Sequence, residues 1–508
     1  MSSLKLAFIH SAPQHKQPEQ NRKELLSLFH QAGKSRAQIV MAPELCISGY
    51  SFDSYRDILP YTETASGPTL QALAALCRRY GFYACIGLAE QDSQSGVLYN
   101  SAFVLDPKGE QICRYRKINA ECRWACPGDP KQSNTFETPW GRIGVLICSD
   151  SYHSLMARTT ALRGASLLLI PANWPSTNGL DPLEIWQARA LENGMYVAVC
   201  NRTGQDLSMD CRQTISSVCD PQGEVRFCRS SPTSRLFLTE LPLQTSGHLG
   251  SEQRFARLAG RDFVDIHACY CNLNSIRDIT SFLRLPKPGL LQMYVHTCAK
   301  HHALAALEAT KRGEEESCKH TLHVLPAADY SESMVTGLRQ FCAKNGHVLI
   351  LYRENEQIGD VLFCDGAEQN IFSWDRRCAH AEQSFPQLEC GPARVRLLPR
   401  SALFHPEMTI AAAKQGADLV LLFSDTCNPK ERLLAGARTI DNVAVVVSSP
   451  QEAGIWLPPE GHQRWQETLA QGGKSAGCLV DTVGTRRKYF QDRIDFHILL
   501  QHITLHIS

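Results

Sequence analysis

The chain has 508 residues, 43% hydrophobic and 20% charged, a globular balance that excludes an intrinsically disordered chain. Lys and Arg (52) nearly cancel Asp and Glu (51), so no global field argues for nucleic acid or an anionic membrane as partner. A chain of this length exceeds one ordinary core, and two domains are expected.

Met1 is followed by Ser-Ser-Leu-Lys-Leu-Ala-Phe-Ile-His10, too short and broken an apolar run for a secretory leader. No apolar stretch approaches the roughly 20 residues of a membrane-crossing helix, and a cytoplasmic protein is expected. The 21 cysteines are scattered through strand-like segments such as Val197-Ala-Val-Cys-Asn201, which reads as reduced, apolar core usage. The close pairs Cys122/Cys126 and Cys269/Cys271 lack a second pair at zinc-site spacing, so no metal site is expected.

In chain order, Leu4 to His10 reads as a strand, Gln20 to Ala37 as an amphipathic helix, and Ile39 to Ala42 as a strand. Thr69 to Tyr80 carries Leu70, Leu73, Leu76 and Cys77 on one helical face, and Phe82 to Glu90 follows as a strand. Tyr99 to Leu105 and Gln111 to Arg116 pair around the turn Asp106-Pro-Lys-Gly109. Arg142 to Cys148 is a strand, followed by a helix through Arg163 and a strand over Ser166 to Ile170. A helix from Asp181 to Asn193 and a strand from Tyr196 to Cys200 complete the pattern. Such alternation predicts an α/β protein with helices covering sheets.

The second half echoes the first in the same order. Tyr294-Val-His-Thr297 resembles Phe8-Ile-His-Ser11, and Ser333 to Gly346 resembles Thr69 to Gly81. Gln415-Gly-Ala-Asp-Leu-Val-Leu-Leu422 matches Arg163-Gly-Ala-Ser-Leu-Leu-Leu-Ile170, and Ala437-Arg-Thr-Ile-Asp-Asn442 matches Ala188-Arg-Ala-Leu-Glu-Asn193. Asp481-Thr-Val-Gly484 answers Asp220-Pro-Gln-Gly223. Two copies of one fold are expected, residues 1–285 and 290–508, joined near Pro286-Lys-Pro-Gly289.

Three segments of the first copy deliver functional groups at strand ends, where α/β folds place active sites. Met41-Ala-Pro-Glu-Leu-Cys-Ile-Ser-Gly-Tyr50 presents Glu44. Tyr115-Arg-Lys117 closes a hairpin and leads into Glu121-Cys-Arg-Trp-Ala-Cys-Pro-Gly-Asp129. Gly141-Arg-Ile-Gly-Val-Leu-Ile-Cys-Ser-Asp150 carries Cys148 at the exit of an apolar strand.

These segments, with Arg189-Ala-Leu-Glu-Asn193 and Asn201-Arg-Thr-Gly204, resemble the nitrilase superfamily of carbon–nitrogen hydrolases in order and approximate spacing, over roughly residues 4 to 275. The resemblance implies a four-layer α–β–β–α sandwich, assembled in that family as dimers or larger oligomers, and an amidase-like activity on a small amide or carbamoyl compound. It also implies a supporting role for Glu121, which matches a glutamate that many members place before Pro-Gly. Two departures fall in the pocket. The loop from Lys117 to Glu121 is short, and Ser149 follows the nucleophile where a larger residue is common.

The chemistry of the trio is coherent in its own right. An amide carbon is a poor electrophile, and a thiol of ordinary pKa is little ionised near neutrality, so Cys148 needs a base. Glu44 can take the thiol proton, pass it to the departing amine and later activate water. Lys117 and the backbone N–H of Ser149 can hold the oxyanion, and no metal or organic cofactor is required. Ser149, Tyr152, Asn173 and Trp174 are expected at the substrate pocket, with His153 as a pocket-wall residue. Alternatives stay open. Cys126 is a second candidate nucleophile, Glu121 reads equally as a loop carboxylate, and acyl transfer or nitrile hydrolysis would use the same trio. A non-catalytic scaffold is the rival from another class.

The echoes place Pro326 opposite Pro43, Ala327 opposite Glu44, Arg376 or Arg377 opposite Lys117, and Arg400 within a residue or two of Cys148, with Ser401 nearby. Arginine stays protonated and cannot be a nucleophile. The second copy therefore reads as a degenerate domain, expected to serve as an internal pseudo-dimer partner, with further homo-oligomers left open.

Overall fold

The computed structural model describes residues 2–175, 181–259, 276–298, 300–310, 318–354, 359–365, 368–374, 386–460 and 463–486. The described residues separate into two compact units, 2–259 and 276–486. Residues 276–285, placed by the sequence at the end of the first copy, hydrogen-bond instead within the second unit. There Arg394 donates to the carbonyls of Leu283 and Arg284. Cys269 and Cys271 lie outside the described residues.

Among the described residues the first unit holds twelve strands. Five come first: β1 (Ser3–His10), β2 (Ile39–Met41), β3 (Tyr83–Gln91), β4 (Leu98–Leu105) and β5 (Gln111–Arg116). β6 (Thr135–Thr138), β7 (Gly141–Val145), β8 (Leu167–Ala172), β9 (Tyr196–Asn201), β10 (Ser216–Cys219) and β11 (Val225–Arg229) follow, and β12 (Arg235–Pro242) ends the set. They form two six-stranded sheets, β12-β1-β2-β3-β4-β5 and β6-β7-β8-β9-β10-β11. In each sheet the two central pairings are parallel and the outer ones antiparallel.

Local chemistry sets the helices that cover them. Pro18–Lys34 and Pro68–Tyr80 both begin with proline in the first turn, where its missing N–H costs nothing. The second stops at Gly81, whose φ of 73° suits a left-handed cap. Pro182–Asn193 is capped by Asp181, which accepts from the Leu183 N–H. Leu25, Leu28, Phe29, Leu70, Leu73 and Cys77 pack on Ala7, Ile9, Val40, Ala84 and Ile86 of the first sheet. Each large side chain so buried contributes about 1.5–3 kcal/mol. Ser154–Leu162 and Pro182–Asn193 cover the second sheet in the same way. The inner faces of the sheets meet, and the thiol of Cys200 on β9 hydrogen-bonds the carbonyls of Ile9 and Met41. The result is a four-layer α–β–β–α sandwich.

The second unit repeats it strand for strand. Its first six strands are β13 (Leu290–His296), β14 (Thr321–Ala328), β15 (His347–Arg353), β16 (Gly359–Asp365), β17 (Glu368–Trp374) and β18 (Gln387–Cys390). β19 (Ala393–Leu397), β20 (Leu419–Phe423), β21 (Ala444–Ser448), β22 (Glu452–Leu457), β23 (Gln466–Gln471) and β24 (Ser475–Asp481) complete it. The sheet orders β24-β13-β14-β15-β16-β17 and β18-β19-β20-β21-β22-β23 reproduce those of the first unit, with the same parallel and antiparallel pairings. The fold is a tandem duplication.

One row of the second unit departs from its counterpart. Aligning Pro326 with Pro43 and following the strand registers puts Ser475, His296, His323 and His347 opposite Leu236, Ile9, Val40 and Phe82. In the first unit these four residues belong to the apolar core or pack against it. In the second, His296 Nδ1 meets Ser475 Oγ at 2.7 Å, His296 Nε2 meets His323 Nδ1 at 3.1 Å, and His323 Nε2 meets His347 Nδ1 at 3.1 Å. All three imidazoles are buried. No helix among the described residues is long and apolar enough to cross a membrane.

Candidate active site

β2 ends at Met41, and the chain passes through Pro43 to Glu44 directly over β3. That crossing needs a residue without a side chain beneath it. A Cβ on Gly87 of β3 would lie 2.6 Å from the Glu44 Cα and 2.8 Å from the Pro43 oxygen. Gly87 N–H donates to the Pro43 carbonyl at 3.2 Å, and Cys46 N–H donates to the Gly87 carbonyl at 3.2 Å, which clamps Glu44 between them. Leu45, the next residue, has a φ of +50°.

Lys117 follows β5, its N–H donating to the Asn100 carbonyl on β4 at 2.8 Å. Its Nζ donates to Glu44 Oε1 at 2.7 Å and to Glu121 Oε1 at 2.6 Å, with all three side chains buried. Asn100 spans the same two carboxylates, its Nδ2 donating to Glu44 Oε1 at 2.7 Å and to Glu121 Oε2 at 3.1 Å. The Tyr50 hydroxyl donates to Glu121 Oε1 at 2.9 Å. The Lys117 and Asn100 donors both go to Glu44 Oε1, and Oε2 receives neither. The Cys148 thiol, however, is electrostatically coupled to this carboxylate.

Cys148 opens a short 3₁₀ turn, Cys148–Tyr152, three residues beyond the end of β7 at Val145. The strand expected to run to Cys148 stops early because the cysteine itself has a φ of +45°, a left-handed conformation incompatible with a strand. The turn is pinned by Asp150, which accepts from the Tyr115 hydroxyl at 2.8 Å and from the N–H groups of Ile118 (3.3 Å) and Asn119 (2.7 Å). One carboxylate thus ties the cysteine turn to the lysine turn.

Burial pushes the Cys148 thiol well up, and the Glu44 carboxylate adds to the effect, while Lys117 and the Asn173 backbone oppose it. Burial likewise raises Glu44 against the pull of Lys117. Burial would raise Glu121 too, but Lys117 and its hydrogen bonds hold it below the usual carboxylate range. Lys117 loses stability as a cation through burial, yet the two glutamates more than compensate and keep it charged. The resting site is a protonated thiol beside a base of elevated basicity, next to a fixed cation.

The sequence profile described as Carbon-nitrogen hydrolase matches residues 5–249. A nitrilase from Pyrococcus abyssi is 32% identical over 244 residues, spanning 47% of this chain and 90% of that protein. The chain belongs to the carbon–nitrogen hydrolase family. Omega-amidase NIT2 from Mus musculus is 31% identical over 238 residues, or 44% of this chain and 84% of that protein. The solved structure of Saccharomyces cerevisiae Nit3, from branch 10 of the nitrilase superfamily, covers 47% of this chain and 90% of its own at 23% identity and a TM-score of 0.43.

In this carbon–nitrogen hydrolase, Glu44, Lys117 and Glu121 meet directly, and Cys148 shares their electrostatic field. Ser149 is half-buried, its hydroxyl 3.4 Å from the Asn119 carbonyl. Tyr152 is buried, 6.1 Å from the Trp174 ring. Asn173 is buried and accepts from the Cys211 thiol at 3.4 Å. Asn201 fixes Trp174 at both ends of its peptide, accepting from its N–H at 3.0 Å and donating to its carbonyl at 2.9 Å. Burial lowers His153 to about 4, which keeps its imidazole neutral. Cys126 is exposed, its backbone tied to Leu98 on the hairpin rather than to the charged cluster. Sequence reasoning passed over Asn100, Tyr115 and Asp150. Tyr115 and Asp150 stand inside the motif segments Tyr115-Arg-Lys117 and Gly141 to Asp150, whereas the one signal of Asn100 was a polar residue in the strand Tyr99 to Leu105.

The hydrolase trio has no counterpart at the matching positions of the second unit. Strand registers put Ala327 opposite Glu44 and Gly359 opposite Asn100. Trp374, rather than Arg376 or Arg377, falls opposite Lys117, and those two arginines lie outside the described residues. With Gly416 aligned to Gly164, Arg400 falls opposite Cys148 at the start of an equivalent 3₁₀ turn, and it pairs with buried Glu431. The strained conformations are gone as well. Neither Ala328, opposite Leu45, nor Arg400 has a positive φ.

Proposed function

We propose that the first unit hydrolyses the C–N bond of a small linear amide or carbamoyl compound through a Cys148 thioester, and that the second unit is a non-catalytic copy. The observation that carries this reading is the buried Lys117 bridging Glu44 and Glu121 at 2.7 and 2.6 Å beside Cys148. Glu44 takes the thiol proton as sulfur bonds to the amide carbon, and Lys117 with the Ser149 N–H holds the oxyanion. The C–N bond breaks as Glu44 returns the proton to nitrogen, and ammonia or an amine leaves. Water then attacks the thioester, giving its proton to Glu44. The C–S bond breaks, the acid departs, and the proton returns to sulfur.

The names of the omega-amidase and nitrilase relatives support this class of substrate. Intact-mass spectrometry of the full chain incubated with a panel of amides should reveal an acyl adduct on the peptide carrying Cys148, together with released ammonia or amine. Cys148→Ala should abolish both and leave the far-UV circular dichroism unchanged. Turnover surviving in that variant would remove the nucleophile from the mechanism.

A further inference from the structure

Asn100 sits at the centre of the cluster. Its backbone carbonyl receives the Lys117 N–H, and the two hydrogens of its Nδ2 go to Glu44 and Glu121. The side chain is fully buried, and its Oδ1 takes no hydrogen bond from the protein. A buried unsatisfied acceptor is costly, so an apolar residue would be the cheaper occupant if packing were the whole demand. The orientation is dictated by chemistry, because an amide oxygen turned toward two carboxylates would be repelled.

The donors also select one oxygen of Glu44. Lys117 and Asn100 both bind Oε1, which leaves Oε2 as the oxygen with no donor. Building on the thioester reading above, we propose that Asn100 is a positioning residue for the reaction, holding Glu44 as an ionised base with Oε2 presented to the Cys148 thiol. The second unit is consistent with this role. Where Glu44, Lys117 and Cys148 are replaced, the position of Asn100 holds Gly359, which has no side-chain donor.

The ionisable groups around the amide are Glu44, Glu121, Lys117, Cys148 and Tyr50. Removing two hydrogen bonds from the carboxylates favours their protonated forms, so a variant without them should need a higher pH to activate the thiol.

The test needs no substrate. Iodoacetamide alkylates the activated thiol: the S–C bond forms, iodide leaves, and the thiol proton goes to Glu44. The tryptic peptide 143–158 contains Cys148 and no other cysteine, so its modification can be followed by mass spectrometry in the full-length chain. The alkylation rate is measured against pH for the parent, Asn100→Leu and Asn100→Ser. For Asn100→Leu the acid limb should move up by about one pH unit, with roughly a tenfold lower rate on that limb and an unchanged plateau at high pH. Asn100→Ser, which keeps one donor, should fall between. If Asn100→Leu does not fold, Asn100→Ser alone must show the displaced limb.

An acid limb that stays in place, whether or not the rate falls uniformly, would show a merely structural role and overturn the proposal. If Cys148 in the parent resists alkylation at every pH while exposed Cys122 and Cys126 react, the nucleophile reading itself fails and takes this proposal with it.

Discussion

The imidazole row of the second unit makes that unit's stability depend on pH. His296 is held at about 4 by burial, and burial together with its histidine neighbours holds His323 well below its ordinary value. Ser475, the ring of Tyr294 and Phe341 of the covering helix Glu332–Asn345 face the row. The folded state thus binds protons more weakly than the unfolded chain, so stability is full above about pH 6.5 and is lost as pH falls toward 4. Going from pH 7 to pH 5, His296 alone removes about 2 kcal/mol, and His323 acts in the same direction.

Hydrogen exchange, corrected for intrinsic rates, should show protection in β13–β15 falling by about 30-fold between those pH values. Replacing the row by the first unit's residues, H296I/H323V/H347F, should flatten the dependence. If the triple variant kept the full dependence, the row would not be the origin of the acid sensitivity.

Two further substitutions test the scaffold of the site. Gly87→Ala puts a methyl group 2.6 Å from the Glu44 Cα, so it should cost about 1–3 kcal/mol in urea unfolding. It should also lower turnover of the best amide by roughly 100-fold, and near-parent activity would mean that Glu44 need not be held over β3. Tyr115→Phe removes the hydroxyl donated to Asp150, which burial already raises to about 6, and should push that carboxyl higher still. A loss of about 1.5–3 kcal/mol in thermal stability is expected, greatest above pH 6 where the carboxylate is charged. Equal losses at pH 5 and pH 8 would argue against a charge-assisted bond.

Much of this architecture is legible in the sequence because its punctuation is local. Pro18, Pro68, Gly81 and the Asp181-Pro182 pair mark helix ends within a few residues of where they fall, and each acts through its own backbone chemistry. The duplication is legible for the same reason, since Gly164 and Gly416 hold the same turn before equivalent strands. What escaped depends on distant partners. Asn100 is one polar residue in a strand, and its meaning lies in Glu44, 56 positions away, and Glu121, 21 positions away. The left-handed turn at Cys148 leaves no composition signal, so the strand was drawn too long. The counterpart of Lys117 was placed two or three residues late because spacing between echoes does not measure register, whereas the ladder through β15, β16 and β17 does.

The left-handed backbones of Leu45 and Cys148 acquire a meaning from residues 328 and 400, where the same fold has settled into ordinary conformations. A non-glycine residue in that region costs roughly 1–3 kcal/mol, and it persists where the surroundings force it. Leu45 adjoins Glu44 and Cys148 carries the thiol, and their two counterparts stand where Ala327 and Arg400 replace those groups. The duplicated chain thus records, within one polypeptide, what reactivity extracts from a scaffold. At these two positions the second unit has ordinary backbone conformations. Attempts to restore chemistry there by reinstating side chains alone would meet a backbone that no longer presents them.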